Sequence, residues 1–258
     1  SASWSTGPFG EVTDFTLHQS GGASGGVLRP HRLVVSTWKF GGGRLEATHS
    51  FDVRIEGESV PIDPEGALAH PGGAAEVDMV VVNDQDLTYA VSRLDPHSTD
   101  VALAYAGTCP EAITRAVVWA ALWNALRDGL VDPRRFVQSA LVAVESEAEP
   151  AVRDRLLALA HSAIRDYLPG GARQGLRELL SAATIRYARE TGDADAARAF
   201  TRAFITEFEA YGPGAFTELV RGYAAGDDID LAWRARCALA ARGLVDADGI
   251  TAWRDADG

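Results

Sequence analysis

Along the first third of the chain, apolar and polar residues alternate. In Leu45-Glu-Ala47-Thr-His49-Ser-Phe51-Asp-Val53-Arg-Ile55 the odd positions are mostly apolar and the even ones polar. That is the period-2 signature of a half-buried strand. The same pattern predicts strands within Glu11–Gln19, Leu28–Phe40, Val77–Val82 and Leu87–Leu94. Gly21–Gly26, Gly41–Gly43 and the Pro- and Gly-bearing stretch Asp63–Gly73 separate them as turn signals. Short strands at this spacing predict a β-sandwich over residues 1–95.

After Asp95 the period changes. Ile113, Ala116, Val117, Ala120 and Trp123 recur at intervals of three and four, which places them on one helical face. Further helices are predicted at 134–147, 151–168, 172–190, 194–210, 213–224, 229–243 and 247–254. Asp132-Pro133, Glu149-Pro150, Pro169-Gly170-Gly171, Gly192-Asp193, Gly212-Pro213 and Gly243 mark the breaks. Helices joined by such short turns pack as antiparallel neighbours. The predicted class is α+β, an N-terminal β-sandwich domain (1–95) followed by an all-α helical array (96–258).

Charge narrows the function. The 258 residues carry a formal net charge of −12, which argues against nucleic acid or an anionic membrane as partner, because both need a cationic footprint. No apolar run approaches the ~20 residues of a membrane span. Cys109 and Cys237 match no metal or redox spacing and read as reduced thiols of a cytoplasmic protein. Lys39 is the sole lysine, so a lysine nucleophile has a single candidate.

The six histidines, His18, His31, His49, His70, His97 and His161, are all more than five residues apart. There is accordingly no H-E-x-x-H and no local zinc site of common spacing. Gly22-Ala-Ser24-Gly-Gly26 formally fits the nucleophile-elbow pattern but precedes a strand where a helix is required, so it reads as a loop. Trp119 and Trp123 lie one helical turn apart, flanked by Arg115, Asn124, Arg127 and Asp128. Either both indoles pack into the helical core, or they form an aromatic wall with a cationic rim for a ligand. Tyr89, Tyr167 and Tyr187 are further candidates for such a wall. Asn83-Asp84-Gln85-Asp86 is an acidic turn whose two carboxylates could supply a base or hold an amine.

Three stretches occur together in order: Leu28-Arg-Pro-His-Arg-Leu33; Val81-Val-Asn-Asp-Gln-Asp-Leu-Thr-Tyr-Ala90 with Arg93-Leu-Asp95; and Arg115-Ala-Val-Val-Trp-Ala-Ala-Leu-Trp123 with Arg127-Asp-Gly129. With Leu231–Leu244, they resemble the carboxy-terminal part of actinobacterial aminopeptidase N, a gluzincin-class zinc metallopeptidase. The resemblance implies the small β-sandwich domain and the start of the helical domain of that family. Its catalytic zinc domain has no counterpart here, so no zinc ligand or catalytic residue carries over. Val91 stands where the resemblance leads one to expect a lysine. The Ser1-Ala2 start and the stop at Gly258, short of the family's further helices, lead us to expect a free-standing product. Such a stop would leave apolar faces around Leu231, Trp233, Leu239 and Leu244 for a partner.

Two functions follow. In the first, the scaffold serves specialised metabolism of an actinomycete and binds or converts a small amino-acid-derived molecule. It uses no metal or other cofactor and works with a separate protein chain or by self-association. Metal-free elimination or ring closure by displacement of sulfate or phosphate suits this set. Arg115 or Arg127 would hold the leaving anion, Asp84 or Asp86 would act as base, and Tyr89, Trp119 and Trp123 would bind the ligand. In the second, the chain is a non-catalytic structural fragment of a zinc aminopeptidase N. Both predict that the purified chain holds no stoichiometric zinc and cleaves no aminoacyl-arylamide. One tightly bound zinc per chain, found by elemental analysis, is the contrary result.

Overall fold

The alternating segments pair as antiparallel strands. β1 (Ala2–Thr6), β2 (Val12–His18) and β5 (Ser59–Pro61) make a three-stranded sheet in the order β1-β2-β5. β3 (His31–Gly41), β4 (Arg44–Ile55) and β6 (Met79–Val82) make a second, in the order β4-β3-β6. The structure, a computed structural model, describes residues 1–8, 12–21, 26–62, 76–210 and 214–256. His70 and most of the Gly22–Gly26 match lie outside the described residues. Phe15 and Leu17 of the first sheet share one buried cluster with Leu33, Val35, Val53 and Val80 of the second, as a sandwich requires.

Two local devices shape the longer sheet. Gly41 pairs with Arg44, leaving Gly42 and Gly43 as the hairpin loop with φ of 59° and 87°. Left-handed φ at both central positions matches the twist of the flanking strands and favours glycine. One residue of β4, Thr48, is bulged between the Thr37–His49 and Trp38–Ala47 pairs. A one-residue slip exchanges the faces of a strand. Beyond it, Trp38 and Leu45 are buried outside the inter-sheet cluster, on the side where Leu45 N donates to Thr108 Oγ1.

The predicted strand at Leu87–Leu94 is absent. The chain leaves β6 through a turn with left-handed Asn83 (φ 63°) and Asp86 (φ 51°), and continues irregularly to Asp95. Its alternating apolar residues Leu87, Tyr89 and Val91 are exposed, so the alternation buries no face. β1 and β5, both short, are strands that the period-2 reading did not single out.

The helices are α1 (Pro96–Tyr105), α2 (Ala112–Arg127), α3 (Pro133–Glu145), α4 (Pro150–Tyr167), α5 (Gly170–Glu190), α6 (Ala194–Ala210), α7 (Thr217–Ala224), α8 (Ile229–Ala241) and α9 (Ala247–Ala256); from α2 onward they follow the predicted succession, whereas α1 is not among the predicted helices. Proline at N1 after a capping aspartate starts both α1 (Asp95-Pro96) and α3 (Asp132-Pro133), where a missing N–H costs nothing. Among the described residues no helix is long and apolar enough to cross a membrane.

The chain divides into two compact units, Ser1–Val152 and Arg153–Gly258. The expected division at 95/96 marks the change of secondary structure, not the boundary between units. The first helices are tied to the sheets: Trp4 Nε1 donates to Asp95, Val80 N donates to Ser98 Oγ, and Phe40 stacks on Tyr105 at 3.9 Å. The second unit has its own core, in which Leu231 and Leu239 are buried with Phe204, Phe208 and Val220. The expectation that these two leucines face outward is therefore corrected: they lie on α8, and α6 and α7 cover them. Trp233 and Leu244 remain partly exposed.

Gly107 has no room for a side chain. A Cβ on Gly107 would stand 2.8 Å from Ala143 Cβ and 3.0 Å from its Cα. Gly107→Ala is expected to destabilise by about 1–3 kcal/mol through overpacking. Gly175→Ala, which has open space inside α5, should instead stabilise by up to ~1 kcal/mol. Urea midpoints of the two variants check the pair.

Candidate functional site

A cavity of about 930 Å³ opens in the first unit. Its walls come from the ends of β2, β3, β4 and β6, from the irregular segment 88–93, and from the C-terminus of α2. Three links hold the segment in place. Asn83 donates from Nδ2 to Thr88 O at 2.9 Å and accepts from Thr88 N through Oδ1 at 3.2 Å. His31 Nδ1 lies 2.5 Å from Thr88 Oγ1, and Arg93 Nη2 pairs with Asp128 Oδ2 at 2.8 Å. Asp128 caps α2, and Gly129 (φ 75°) turns the chain away in the left-handed conformation common after a helix.

The wall is cationic. Arg29, Arg93 and Arg127 line it, with Asp128 as the carboxylate among the lining residues. Arg93 is committed to Asp128. Arg29 and Arg127 are exposed and make no ion pair among the described residues. Leu17, Leu33, Ile55 and Val82 form the apolar part.

Of the candidate site residues, Tyr89 and Arg127 belong to this wall. Tyr89 is fully exposed at its rim. Arg115 is turned the other way, and its assignment to a ligand is corrected. Its Nε and Nη2 donate to Glu147 at 2.7 and 2.6 Å, and its Nη1 donates to Cys109 O and Pro110 O at 2.7 and 2.9 Å. Both side chains are buried, Glu147 to 1% exposure. The hydrogen bonds it donates to Glu147 hold the guanidinium still more firmly protonated than usual.

Trp119 is likewise core, 2% exposed, with its ring edge-on to Phe136 at 5.7 Å. Trp123, half-buried, packs on the same ring at 5.8 Å. Both indoles thus pack on Phe136 of α3, as the core reading has them. Asp84 is buried, with Oδ1 lacking a hydrogen-bond partner, and is not on the cavity wall. Asp86, exposed, accepts from Asn83 Nδ2 at 3.3 Å within its own turn. Tyr167 and Tyr187 belong to the other unit. Arg29 and Arg93 were not singled out as site residues, although both lie in the stretches that carry the family resemblance.

Among the described residues no three His, Cys, Asp or Glu side chains gather as metal ligands. Both cysteines are free. Burial, with Asp84 and Glu111 nearby, pushes the Cys109 thiol up to about 12, against the opposing pull of Arg115.

The family model described as ERAP1-like C-terminal domain matches residues 79–256. Aminopeptidase N of Streptomyces lividans is 31% identical over 207 residues, covering 76% of this chain and 23% of that protein. The chain thus spans less than a quarter of that relative's length.

Two expectations follow. Glu147→Gln leaves a buried guanidinium unbalanced and should cost about 3–5 kcal/mol, whereas Arg127→Gln should lie within ~0.5 kcal/mol of wild type; denaturant unfolding distinguishes them. At pH 8 the Cys109 thiol stays protonated, four units below its raised pKa of about 12. A disulfide exchange reagent should therefore titrate only exposed Cys237 in the folded chain and both thiols after unfolding.

Proposed function

The chain belongs to the ERAP1-like C-terminal domain family, and from that premise we propose that its sandwich cavity binds a small amino-acid-derived molecule carrying an oxyanion. One observation carries the reading. In a protein of net charge −12, the wall sets Arg29, Arg93 and Arg127 against a single carboxylate, Asp128. A cationic concavity in an anionic surface selects anions and draws them in. Arg127 is the guanidinium best placed to grip one bidentately, being unpaired and held by the last turn of a helix.

The chemistry that suits this wall is displacement of an anionic leaving group, a reaction of specialised metabolism. An amine attacks the adjacent carbon that bears sulfate. The nitrogen lone pair forms the N–C bond, the C–O bond breaks, and sulfate departs with the electron pair toward Arg127. The proton released by the nitrogen passes to Asp128 or to water. A separately encoded chain or a second copy would cover the rim, where Val27, Tyr89 and Val91 are exposed. A second reading, a structural module of a zinc aminopeptidase N, is favoured by the 23% span of the relative.

Calorimetric titration with O-phospho-L-serine tests the proposal. Saturable binding is expected, with none for L-serine, and Arg127→Gln should weaken it by about tenfold or more without moving the melting temperature. Stoichiometric association with a separately expressed aminopeptidase N catalytic part, with no binding of phosphoserine, would establish the second reading. No binding of phosphoserine by the wild-type chain overturns the first.

A further inference from the structure

The second unit holds a cavity of its own, about 400 Å³, between α4 and α6 and floored by Leu180 of α5. Leu157, Leu180, Ala199 and Ala203 give it an apolar body. Two polar groups converge on that body, His161 from α4 and Arg202 from α6.

Each is prepared in a particular way. Behind His161 stands Glu207, a carboxylate whose side chain is 1% exposed and whose Oε1 hydrogen-bonds His161 Nδ1. Arg177 Nε lies 3.9 Å from the other oxygen. A buried carboxylate on Nδ1 sets the orientation of the ring and leaves Nε2 as the atom that can meet a ligand. Arg202 Nε lies 3.3 Å from Asp230 Oδ2. Asp230, however, already takes hydrogen bonds on both oxygens from Arg234 Nε, at 3.0 and 3.1 Å. Arg202 Nε is buried and makes no hydrogen bond. Arg198 pairs with Asp228 at 2.9 Å. Three arginines therefore share two carboxylates, and one positive charge is left over beside the cavity. Arg165, the other cation on the wall, is closed onto both oxygens of Asp166.

We propose that this cavity is a binding site for a small aliphatic monocarboxylate, separate from the sandwich cavity. Its carboxylate accepts from Arg202 and from His161 Nε2, the ring being an imidazolium in the complex so that Nδ1 donates to Glu207 and Nε2 to the ligand, and its chain lies on Leu157, Leu180 and Ala203. A cavity of several hundred Å³, mostly apolar with a few convergent polar groups, is the usual form of a small-molecule site. A single surplus charge calls for a monoanion, and a dianion would also face the Asp154 carboxylate at the wall.

The test uses the full chain with hexanoate as probe. Long-range proton–nitrogen spectra follow the imidazole of His161, assigned with His161→Gln. Hexanoate should shift the His161 ring signals saturably, and 1-hexanol should not. Arg202→Gln should weaken binding by about tenfold or more while its circular dichroism matches wild type. Arg127→Gln should bind hexanoate as wild type does, which separates this site from the sandwich cavity. Should Arg202→Gln fail to fold, Ala203→Phe, which fills the cavity, should abolish the shift. No saturable shift up to about 10 mM, an equal response to 1-hexanol, or undiminished binding in either cavity variant overturns the proposal.

Discussion

A buried guanidinium is expensive unless its donors are met, and Arg115 makes four hydrogen bonds. Glu147 accepts from Nε and Nη2, and the carbonyls of Cys109 and Pro110 both accept from Nη1. Glu147 is itself held, accepting from Glu149 N at 2.9 Å. This pair locks the start of α2 to the turn before it and to the exit of α3, and so sets the rotation of α2 about its axis. Trp119 and Trp123 then fall onto Phe136. Arg127, twelve residues on and about 120° further round the helix, emerges at the C-terminal end, on the cavity wall. One arginine of the helix holds the structure; the other is available to a ligand.

The sandwich supplies the rest of the site through its ends. Strand ends carry the lining residues of β2, β3, β4 and β6, and the irregular segment after β6 is strapped across them by Asn83, His31 and the Arg93–Asp128 pair. Within that strap both backbone groups of Thr88 are taken by the Asn83 side chain, N–H by Oδ1 and C=O by Nδ2, rather than by a neighbouring strand. The strap also brings Arg93 and Arg127, far apart in sequence, to one wall. The family match extends through both units, whereas the cationic cavity belongs to the first alone. The anion reading therefore rests on local charge rather than on kinship.

Much of the fold was legible in the sequence because it is written in local periods. The β3–β4 hairpin, the helix start at Asp132-Pro133 and the breaks at Glu149-Pro150, Pro169-Gly170-Gly171 and Gly192-Asp193 lie where the pattern predicts them. Long-range choices were not legible. Arg115 and Arg127 both flank tryptophans on one helix, and which of them turns inward depends on Glu147, 32 residues from Arg115. The same holds for Leu87–Leu94, where period 2 records an alternation but not whether a neighbouring strand exists to receive it. The division at 152/153 rests on individual contacts such as Val80 N to Ser98 Oγ, which no composition shift reveals.

The central claim, that α2 keeps one arginine inside and offers the other to an anion, is most directly tested by the arginine Nε–Hε resonances. Sulfate is added to the folded chain at low ionic strength. The account predicts that the Arg127 signal shifts saturably while the Arg115 signal stays in place and exchanges its proton slowly with water. A saturable shift at Arg115, or none at Arg127, would contradict it.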